Sequence, residues 1–130
     1  MKLHLEGDEP VDPRAFEKDT LAALGMPREV VMRHRTPQFQ HVFAGDGYSA
    51  GYYSYLWSDV ISADAFEAFT EAGGPYDPKV GRRLQDHVFA IGNTVDPEIA
   101  YREFRGRDPG IGALMRRRGF PAPGAAATAN

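Results

Sequence analysis

Four Asp-Pro pairs, each followed by a glycine ten to fifteen residues later, constrain the fold of this chain more than any other feature. An Asp before a helix accepts a free backbone N–H, and a Pro at the first helical position sacrifices no hydrogen bond. A glycine after the last turn can take the left-handed conformation that ends a helix. The four helices predicted in this way run from Asp12-Pro13 to Gly25, from Asp77-Pro78 to Gly92, from Asp96-Pro97 to Gly106 and from Asp108-Pro109 to Gly119.

The rest of the pattern adds helix and one isolated strand. Residues 63–72 carry Phe66 and Phe69 three positions apart, which predicts a further packed helix. Residues 2–6 alternate between apolar and polar side chains, which predicts a short strand. A lone strand is not stable, so this one either pairs with another chain or belongs to a larger sheet. We therefore expect an all-α domain over residues 1–120 with an orphan N-terminal strand, and a disordered tail over residues 121–130.

Charge and composition exclude several classes of protein. The formal net charge of −3 offers no basic surface for nucleic acid. No apolar run is long enough to cross a membrane, and the N-terminus lacks the apolar segment of a signal peptide. There is no cysteine, which is compatible with a reducing compartment. We expect a soluble cytoplasmic protein that binds neither nucleic acid nor membrane.

Residues 41–57 contain one His, three Gly and four of the six tyrosines. Gly45, Asp46 and Gly47 predict a mobile turn, since glycine and aspartate both tolerate positive φ. A helix starting near Tyr48 would place Tyr48, Tyr52 and Tyr55 on one face at i, i+4 and i+7. Aromatic side chains at that spacing are usually core. A glycine hinge before three phenols favours instead a loop that closes over a ligand, where a phenol can donate to an oxyanion.

Other polar residues suggest structural roles. The sequence has no His-Glu-x-x-His motif, so we expect no metal to be bound by this chain alone. His4, His34 and His87 are interpreted as structural or solvated side chains. The run Arg116-Arg117-Arg118 is interpreted as complementing the negative end of the last helix. The remaining basic cluster is interpreted as a solvated face, made of Arg102, Arg105 and Arg107.

Residues 3–120 resemble the C-terminal end of the thimet-oligopeptidase and peptidyl-dipeptidase family of zinc metallopeptidases. The resemblance is carried by the His, the Gly-rich loop and the Tyr-x-Ala-Gly-Tyr-Tyr-x-Tyr-x-Trp run of residues 41–57. The segment Gly-Tyr-Ser-Ala-Gly-Tyr-Tyr most resembles the corresponding segment of bacterial peptidyl-dipeptidases, which remove dipeptides from peptide C-termini. The matching residues are His41, Gly45, Gly47, Tyr48, Ala50, Gly51, Tyr52, Tyr53, Tyr55 and Trp57.

The resemblance implies a role for each site residue. His41 matches a His that contacts the substrate backbone near the scissile bond. Tyr48 matches a Tyr that moves with the glycine loop to reach substrate, and Tyr52, with Gly45 and Gly47 of that loop, is expected to bind substrate. Tyr55 matches the Tyr that hydrogen-bonds the oxyanion of the tetrahedral intermediate alongside zinc.

The family's zinc ligands and general base come from a His-Glu-x-x-His helix and a later Glu, and this sequence has neither. The expectation is the C-terminal portion of a larger zincin-like helical peptidase that lacks the zinc-binding half and is inactive alone. Its partners would be a peptide substrate and the zinc-binding portion or an equivalent chain. The alternative is a non-catalytic helical module that binds a peptide or a protein.

Overall fold

The computed structural model describes residues 2–121, and within that range it contains helices and no β-strand. This confirms the all-α expectation. Short 3₁₀-helices lie at Lys2–Leu5 and Thr36–Gln38, and a π-helix at Gln85–Phe89 continues α4. The α-helices are α1 (Pro13–Ala23), α2 (Gln40–Phe43), α3 (Ser54–Glu71), α4 (Pro78–Leu84), α5 (Pro97–Arg105) and α6 (Gly112–Arg117).

The chain forms two compact units, residues 1–54 and residues 55–130. We call them the N-terminal unit and the C-terminal unit. The predicted disordered tail lies outside the described residues apart from Pro121. In the part of the chain that the structure describes, no helix is both long and apolar enough to cross a membrane.

Three of the four Asp-Pro helices begin where the sequence predicts. The carboxylate of Asp12 accepts from the backbone N–H groups of Arg14 and Ala15 at 2.8 and 3.0 Å. Asp77 caps α4 in the same way, and Asp96 caps α5. The closing glycines Gly25, Gly92, Gly106 and Gly119 all have positive φ. Local capping chemistry therefore explains most of the helix boundaries.

The fourth helix begins later than predicted. α6 starts at Gly112, and its N-cap residue, Ile111, makes no side-chain cap. The carboxylate of Asp108 instead accepts from Nε of Arg102 at 2.6 Å. The Asp108 carboxylate is thus engaged by an arginine six residues earlier and does not cap a helix.

The predicted N-terminal strand is wrong. Residues Lys2–Leu5 form a single 3₁₀ turn. The ring of His4 lies 2.7 Å from the carbonyl oxygen of Ser49, so its Nε2 donates to that oxygen. The five residues 2–6 are too few to establish a strand without a pairing partner, and this side-chain contact is compatible with a turn. His4 is structural, as the sequence suggested.

The C-terminal unit holds the buried residues. One cluster joins Val60 and Ala63 of α3 to Ala113 and Leu114 of α6. A second cluster is centred on Phe104 of α5, which is 1% exposed, and includes Ala68 and Val80. Among residues 2–54 no side chain is classed as buried. The described core therefore lies where α3 meets α4, α5 and α6.

A buried carboxylate lies within this core. Asp64 of α3 accepts from the Tyr101 hydroxyl at 2.6 Å and from Nη2 of Arg107 at 2.7 Å. Arg105 donates from Nε to the Asp64 backbone carbonyl and binds both carboxylate oxygens of Glu71 at 2.6 and 2.7 Å. The interpretation of this basic cluster as a solvated face is wrong for Arg105, whose side chain is 7% exposed.

The electrostatics of this cluster follow from burial and pairing. Burial alone would raise the pKa of Asp64, but hydrogen bonds from Tyr101 and Arg107 and the nearby guanidinium charges hold its pKa below the ordinary value. Burial and the hydrogen bond to Asp64 raise the pKa of Tyr101. Asp64 is therefore ionised and Tyr101 neutral near neutral pH.

All four carboxylates of α3 bind arginines from the segment 105–118. Arg116 of α6 binds Glu67, and Arg118 binds Asp59 at 2.7 Å. The sequence interpretation of residues 116–118 as complements of a helix dipole did not include these two ion pairs of Arg116 and Arg118. Spacings of three and four residues place Asp64, Glu67 and Glu71 along one side of α3, whereas Asp59, five residues before Asp64, lies off that side. These ion pairs connect α3 to α5, to α6 and to the loop between them.

Candidate functional site

The tyrosines of residues 41–57 do not form the predicted row on one helix. Residues 46–53 form consecutive turns, and α3 begins at Ser54. Tyr48 and Tyr52 therefore belong to the turn segment, whereas Tyr55 lies in the first turn of α3. Gly47 and Gly51 explain the late start, because each glycine costs about 1 kcal/mol in a helix relative to alanine. The two predicted pieces after Tyr48 are a single helix that runs to Glu71.

The turn segment nevertheless brings three of the predicted site residues together. The rings of His41 and Tyr48 stack with centroids 4.7 Å apart and planes 28° apart. Tyr52 presents its edge to His41 at 5.9 Å and to Tyr48 at 6.4 Å. Offset stacked and edge-to-face pairs at these separations are favourable. His41, Tyr48 and Tyr52 thus form one contiguous aromatic surface.

Phe39 and His34 extend this surface and were not singled out as site residues. Phe39 meets Tyr52 edge to face at 4.8 Å, and His34 stacks on Phe39 at 4.9 Å with planes 13° apart. We call these five residues, His34, Phe39, His41, Tyr48 and Tyr52, the aromatic cluster. α2 is the element that positions His41, and the sequence analysis did not predict it. The sequence feature that could have indicated this extension is Phe39 itself, an aromatic residue two positions before His41.

The aromatic cluster is accessible rather than core. Tyr48 and Tyr52 are 36% and 40% exposed, and Tyr55 in the C-terminal unit is 46% exposed. Aromatic side chains are usually buried in a core, and these three are not. Part of each of these three rings therefore lies at the surface of its own unit.

A cavity of about 470 Å³ opens beside the aromatic cluster within the N-terminal unit. Phe39 and Tyr52 form part of its wall, together with Phe16, Leu21 and Phe43. Concave surfaces of this size and apolar lining accept apolar groups. The N-terminal unit can therefore hold an apolar side chain next to the polar edges of His41 and Tyr52.

Gly45 and Gly47 do not use the positive φ from which a mobile turn was predicted. Gly47 lies in the turn segment and Gly45 directly precedes it, and a Cβ added at either would meet no atom within 4 Å. A Cβ at Gly51 would lie 3.1 Å from the carbonyl oxygen of Gly47. Gly51 is therefore the glycine that this turn requires. The Ser49 hydroxyl also donates to the Asp46 carbonyl at 3.0 Å, which closes the turn locally.

Tyr55 belongs to the C-terminal unit. It lies one helical turn before Asp59, whose carboxylate binds Arg118. Ser62 and Phe66 lie on the same side of α3, seven and eleven residues after Tyr55. Tyr55 is thus presented on the exposed side of a helix that is held from behind by the buried pairs of Asp64.

Sequence comparison decides the family. The model of Peptidase family M3 matches residues 12–120, most of the chain. The chain belongs to peptidase family M3. The thimet-oligopeptidase and peptidyl-dipeptidase resemblance is thereby confirmed.

Relatives in this family show how much of such a peptidase the chain covers. Dipeptidyl carboxypeptidase of Escherichia coli is 37% identical over 123 residues, which are 92% of this chain and 18% of that protein. Dipeptidyl carboxypeptidase of Salmonella typhimurium is 41% identical over 107 residues, covering 81% of this chain and 15% of that protein. Oligopeptidase A of Haemophilus influenzae is 46% identical over 82 residues, or 63% and 12% of the two chains. This chain spans less than a fifth of each of these relatives.

Peptidase family M3 is zinc-dependent in general, and the described residues do not fit a zinc site. Within residues 2–121 no three His, Asp or Glu side chains are grouped closely enough to hold a metal ion. His34 and His41 each lie against the ring of Phe39, with ring centroids 4.9 and 6.3 Å away. What these residues offer is therefore aromatic surface and hydrogen-bond donors.

Proposed function

We propose that this chain supplies a substrate-binding and transition-state-stabilising part of a family M3 peptidase that hydrolyses peptide bonds in short peptides. The observation that supports this most directly is the stack of His41 on Tyr48 with Tyr52 against both. Three residues that the family resemblance assigns to substrate contact lie side by side and accessible. A peptidyl-dipeptidase activity is the finer form of the proposal.

Each residue has a role in the proposal. The imidazole of His41 hydrogen-bonds the substrate backbone near the scissile bond, and the Tyr48 phenol reaches the substrate from the turn that follows Gly45 and Gly47. The ring of Tyr52 lines the substrate cleft. The Tyr55 phenol donates a hydrogen bond to the oxyanion of the tetrahedral intermediate, which is where charge develops during peptide hydrolysis.

The proposal requires a zinc-binding part outside residues 2–121, either on the same polypeptide or on a separate chain. The dipeptidyl carboxypeptidase of Escherichia coli, five-sixths of which lies outside the matched region, is a suitable source of such a part. Cytoplasmic action is also part of the proposal. One relative is named probable cytosolic oligopeptidase A of Arabidopsis thaliana, 46% identical over 90 residues.

Peptide cleavage tests the proposal. An internally quenched peptide is incubated with zinc and the 130-residue chain, with the truncated Escherichia coli relative that lacks the matched region, and with both together. We expect cleavage only in the mixture. A chimera in which this chain replaces the matched region of that relative covers the case in which the separate parts do not associate.

An inactive chimera that folds and binds zinc would overturn the proposal. Saturable peptide binding by the 130-residue chain together with an inactive chimera would establish the alternative, a non-catalytic helical binding module. Cleavage by the chimera that survives loss of the Tyr55 hydroxyl would overturn only the assignment of Tyr55.

A further inference from the structure

We propose that the groove between α3 and α6 binds a peptide segment that carries a carboxylate next to an apolar side chain, about five residues away from the bond being cleaved. This inference rests on the proposed function and identifies a preference of the peptide substrate. The groove has a volume of about 600 Å³ and lies wholly within the C-terminal unit. Its walls include Ser62, Phe66, Thr70 and Arg117.

Arg117 supplies the charge of the groove. Arg105, Arg107, Arg116 and Arg118 each bind a carboxylate of α3. No carboxylate of residues 2–121 lies within ion-pair distance of Arg117, which is the remaining arginine of this segment. A guanidinium that faces an open groove and lacks an internal carboxylate can bind a ligand carboxylate with two parallel hydrogen bonds.

The acidic residue on the groove wall does not cancel that charge. Glu67 lines the groove, but its carboxylate is bound by Arg116. The Arg116 guanidinium also packs closely over Gly112, where a Cβ would lie 3.3 Å from its Nη1. Arg116 therefore neutralises Glu67 and leaves Arg117 to attract an incoming anion.

The other walls suit an apolar side chain beside the carboxylate. Phe66 is 58% exposed and rests against the ring of Phe69, with centroids 6.3 Å apart. Ser62 and Thr70 lie one turn before and one turn after Phe66, so their hydroxyls flank the ring on the same side of the helix. The groove thus offers one apolar floor, two hydroxyl groups and one cation.

The position of the groove relative to Tyr55 sets the spacing. Phe66 follows Tyr55 by eleven residues and shares its side of α3. At a rise of about 1.5 Å per residue the two side chains are about 16 Å apart along the helix axis. An extended peptide covers about 3.3–3.6 Å per residue, so about five residues separate the reacting bond from the segment in the groove.

Direct binding tests the inference without any need for turnover. Two fluorescein-labelled octapeptides with amidated C-termini, which differ only in an internal Phe-Glu or Phe-Gln pair, are titrated with the 130-residue chain and followed by fluorescence anisotropy. We expect the Phe-Glu peptide to bind about tenfold more tightly, the order of effect of a charge-assisted hydrogen bond in place of a neutral one. Arg117→Gln should abolish this difference, and Phe66→Ala should weaken the binding of both peptides.

Matched variants control for general charge and apolar effects. Arg83 is an exposed arginine of α4, so Arg83→Gln removes the same charge away from the groove. Phe89→Ala removes a ring that is 72% exposed on the π-helix. Both controls should retain the preference for the Phe-Glu peptide. Circular dichroism of Arg117→Gln verifies that the helices are intact.

Equal affinity of the native chain for the two peptides would overturn the inference. Peptide binding that is unchanged in Arg117→Gln would also overturn it. A third contrary result is that the chain binds the truncated relative through Arg117 but binds no peptide, which would identify the groove as a protein interface. In the active chimera, placing the Phe-Glu pair five residues from the cleaved bond should lower KM and leave kcat unaltered. If the chimera is inactive but the anisotropy titrations still show tighter binding of the Phe-Glu peptide, the proposed function is wrong and the inference about the groove still stands.

Discussion

Nη2 of Arg107 lies 2.7 Å from Oδ1 of Asp64, whose side chain is only 2% exposed. A carboxylate removed from water to this extent is stable only when its charge is paired and its oxygens accept hydrogen bonds. Tyr101 donates the second hydrogen bond, and Arg105 adds a second guanidinium at 3.3 Å. The side of α3 opposite Tyr55 is therefore held by a buried carboxylate that two arginines and a tyrosine pair.

Asp64→Asn should strongly destabilise the C-terminal unit. It removes the charge that the buried guanidinium of Arg105 and the half-exposed guanidinium of Arg107 face, and breaking one side of a buried pair costs about 3–5 kcal/mol. We expect the lower end of that range, because Glu71 still binds Arg105. Chemical denaturation followed by circular dichroism measures the change. The control is Asp59→Asn, which breaks an exposed pair with Arg118 and should cost less than about 1 kcal/mol. Equal losses for the two variants would contradict this account.

Acid should unfold the C-terminal unit through the same carboxylate. The pKa of Asp64 in the folded chain lies below the ordinary value of 3.8, because the hydrogen bonds from Tyr101 and Arg107 outweigh the effect of burial. The unfolded chain therefore binds more protons as the pH falls, so this contribution to stability is complete above about pH 4 and is lost as the pH falls through the folded pKa.

Denaturation midpoints measured between pH 6 and the acid limit of folding test this dependence. The native chain should lose stability steeply below about pH 4, and Asp64→Asn should have a flatter profile there. Asp19→Asn, at an exposed position of α1, serves as the control and should keep the native profile. An unchanged slope in Asp64→Asn would show that acid acts elsewhere.

Tyr55→Phe should impair the chemical step of the active chimera. The change keeps the ring and removes the hydroxyl, and loss of one oxyanion donor typically lowers kcat by about 10²–10³. KM should change little, since the interaction forms in the transition state. Steady-state kinetics with the quenched peptide give both constants. Tyr76→Phe, at a position that is 94% exposed, is the matched control and should leave kcat unaltered.

Gly51→Ala should disturb the turn that presents Tyr48 and Tyr52. The added Cβ would lie 3.1 Å from the Gly47 carbonyl oxygen, and the backbone must shift to relieve the contact. Overpacking of this kind costs about 1–3 kcal/mol. Amide hydrogen exchange should show faster exchange across residues 46–53. Gly45→Ala meets no atom and has no positive φ to lose, so its exchange should match the native chain. Similar exchange in both variants would show that Gly51 has no special role.

The starts of three helices were predictable because helix capping involves only residues that are neighbours in the chain. An Asp accepting from backbone N–H groups two and three residues later, a Pro at the next position and a terminal glycine involve no distant residue. This logic located α1, α4 and α5, and it failed at Asp108, where Arg102 takes the carboxylate. The predicted N-terminal strand was wrong because the five alternating residues 2–6 carry little information without a pairing partner.

The aromatic cluster was only partly predictable. The composition of residues 41–57 identified His41, Tyr48 and Tyr52, and the structure places their rings in contact. The predicted helical row was wrong, because periodicity alone ignores the cost of Gly47 and Gly51 in a helix. Only the structure shows that Phe39 and His34 belong to the cluster, because Phe39 packs against Tyr52 and His34 stacks on Phe39.

The sequence by itself determined the helical class, the starts of α1, α4 and α5, and membership of peptidase family M3, because caps and motif residues lie close together in the chain. Only the tertiary structure decided which charges are buried and which side chains share a surface. Asp64 pairs with Arg107 across 43 residues, and Glu67 with Arg116 across 49. Such pairings depend on how the helices pack, and no local preference of the backbone encodes them.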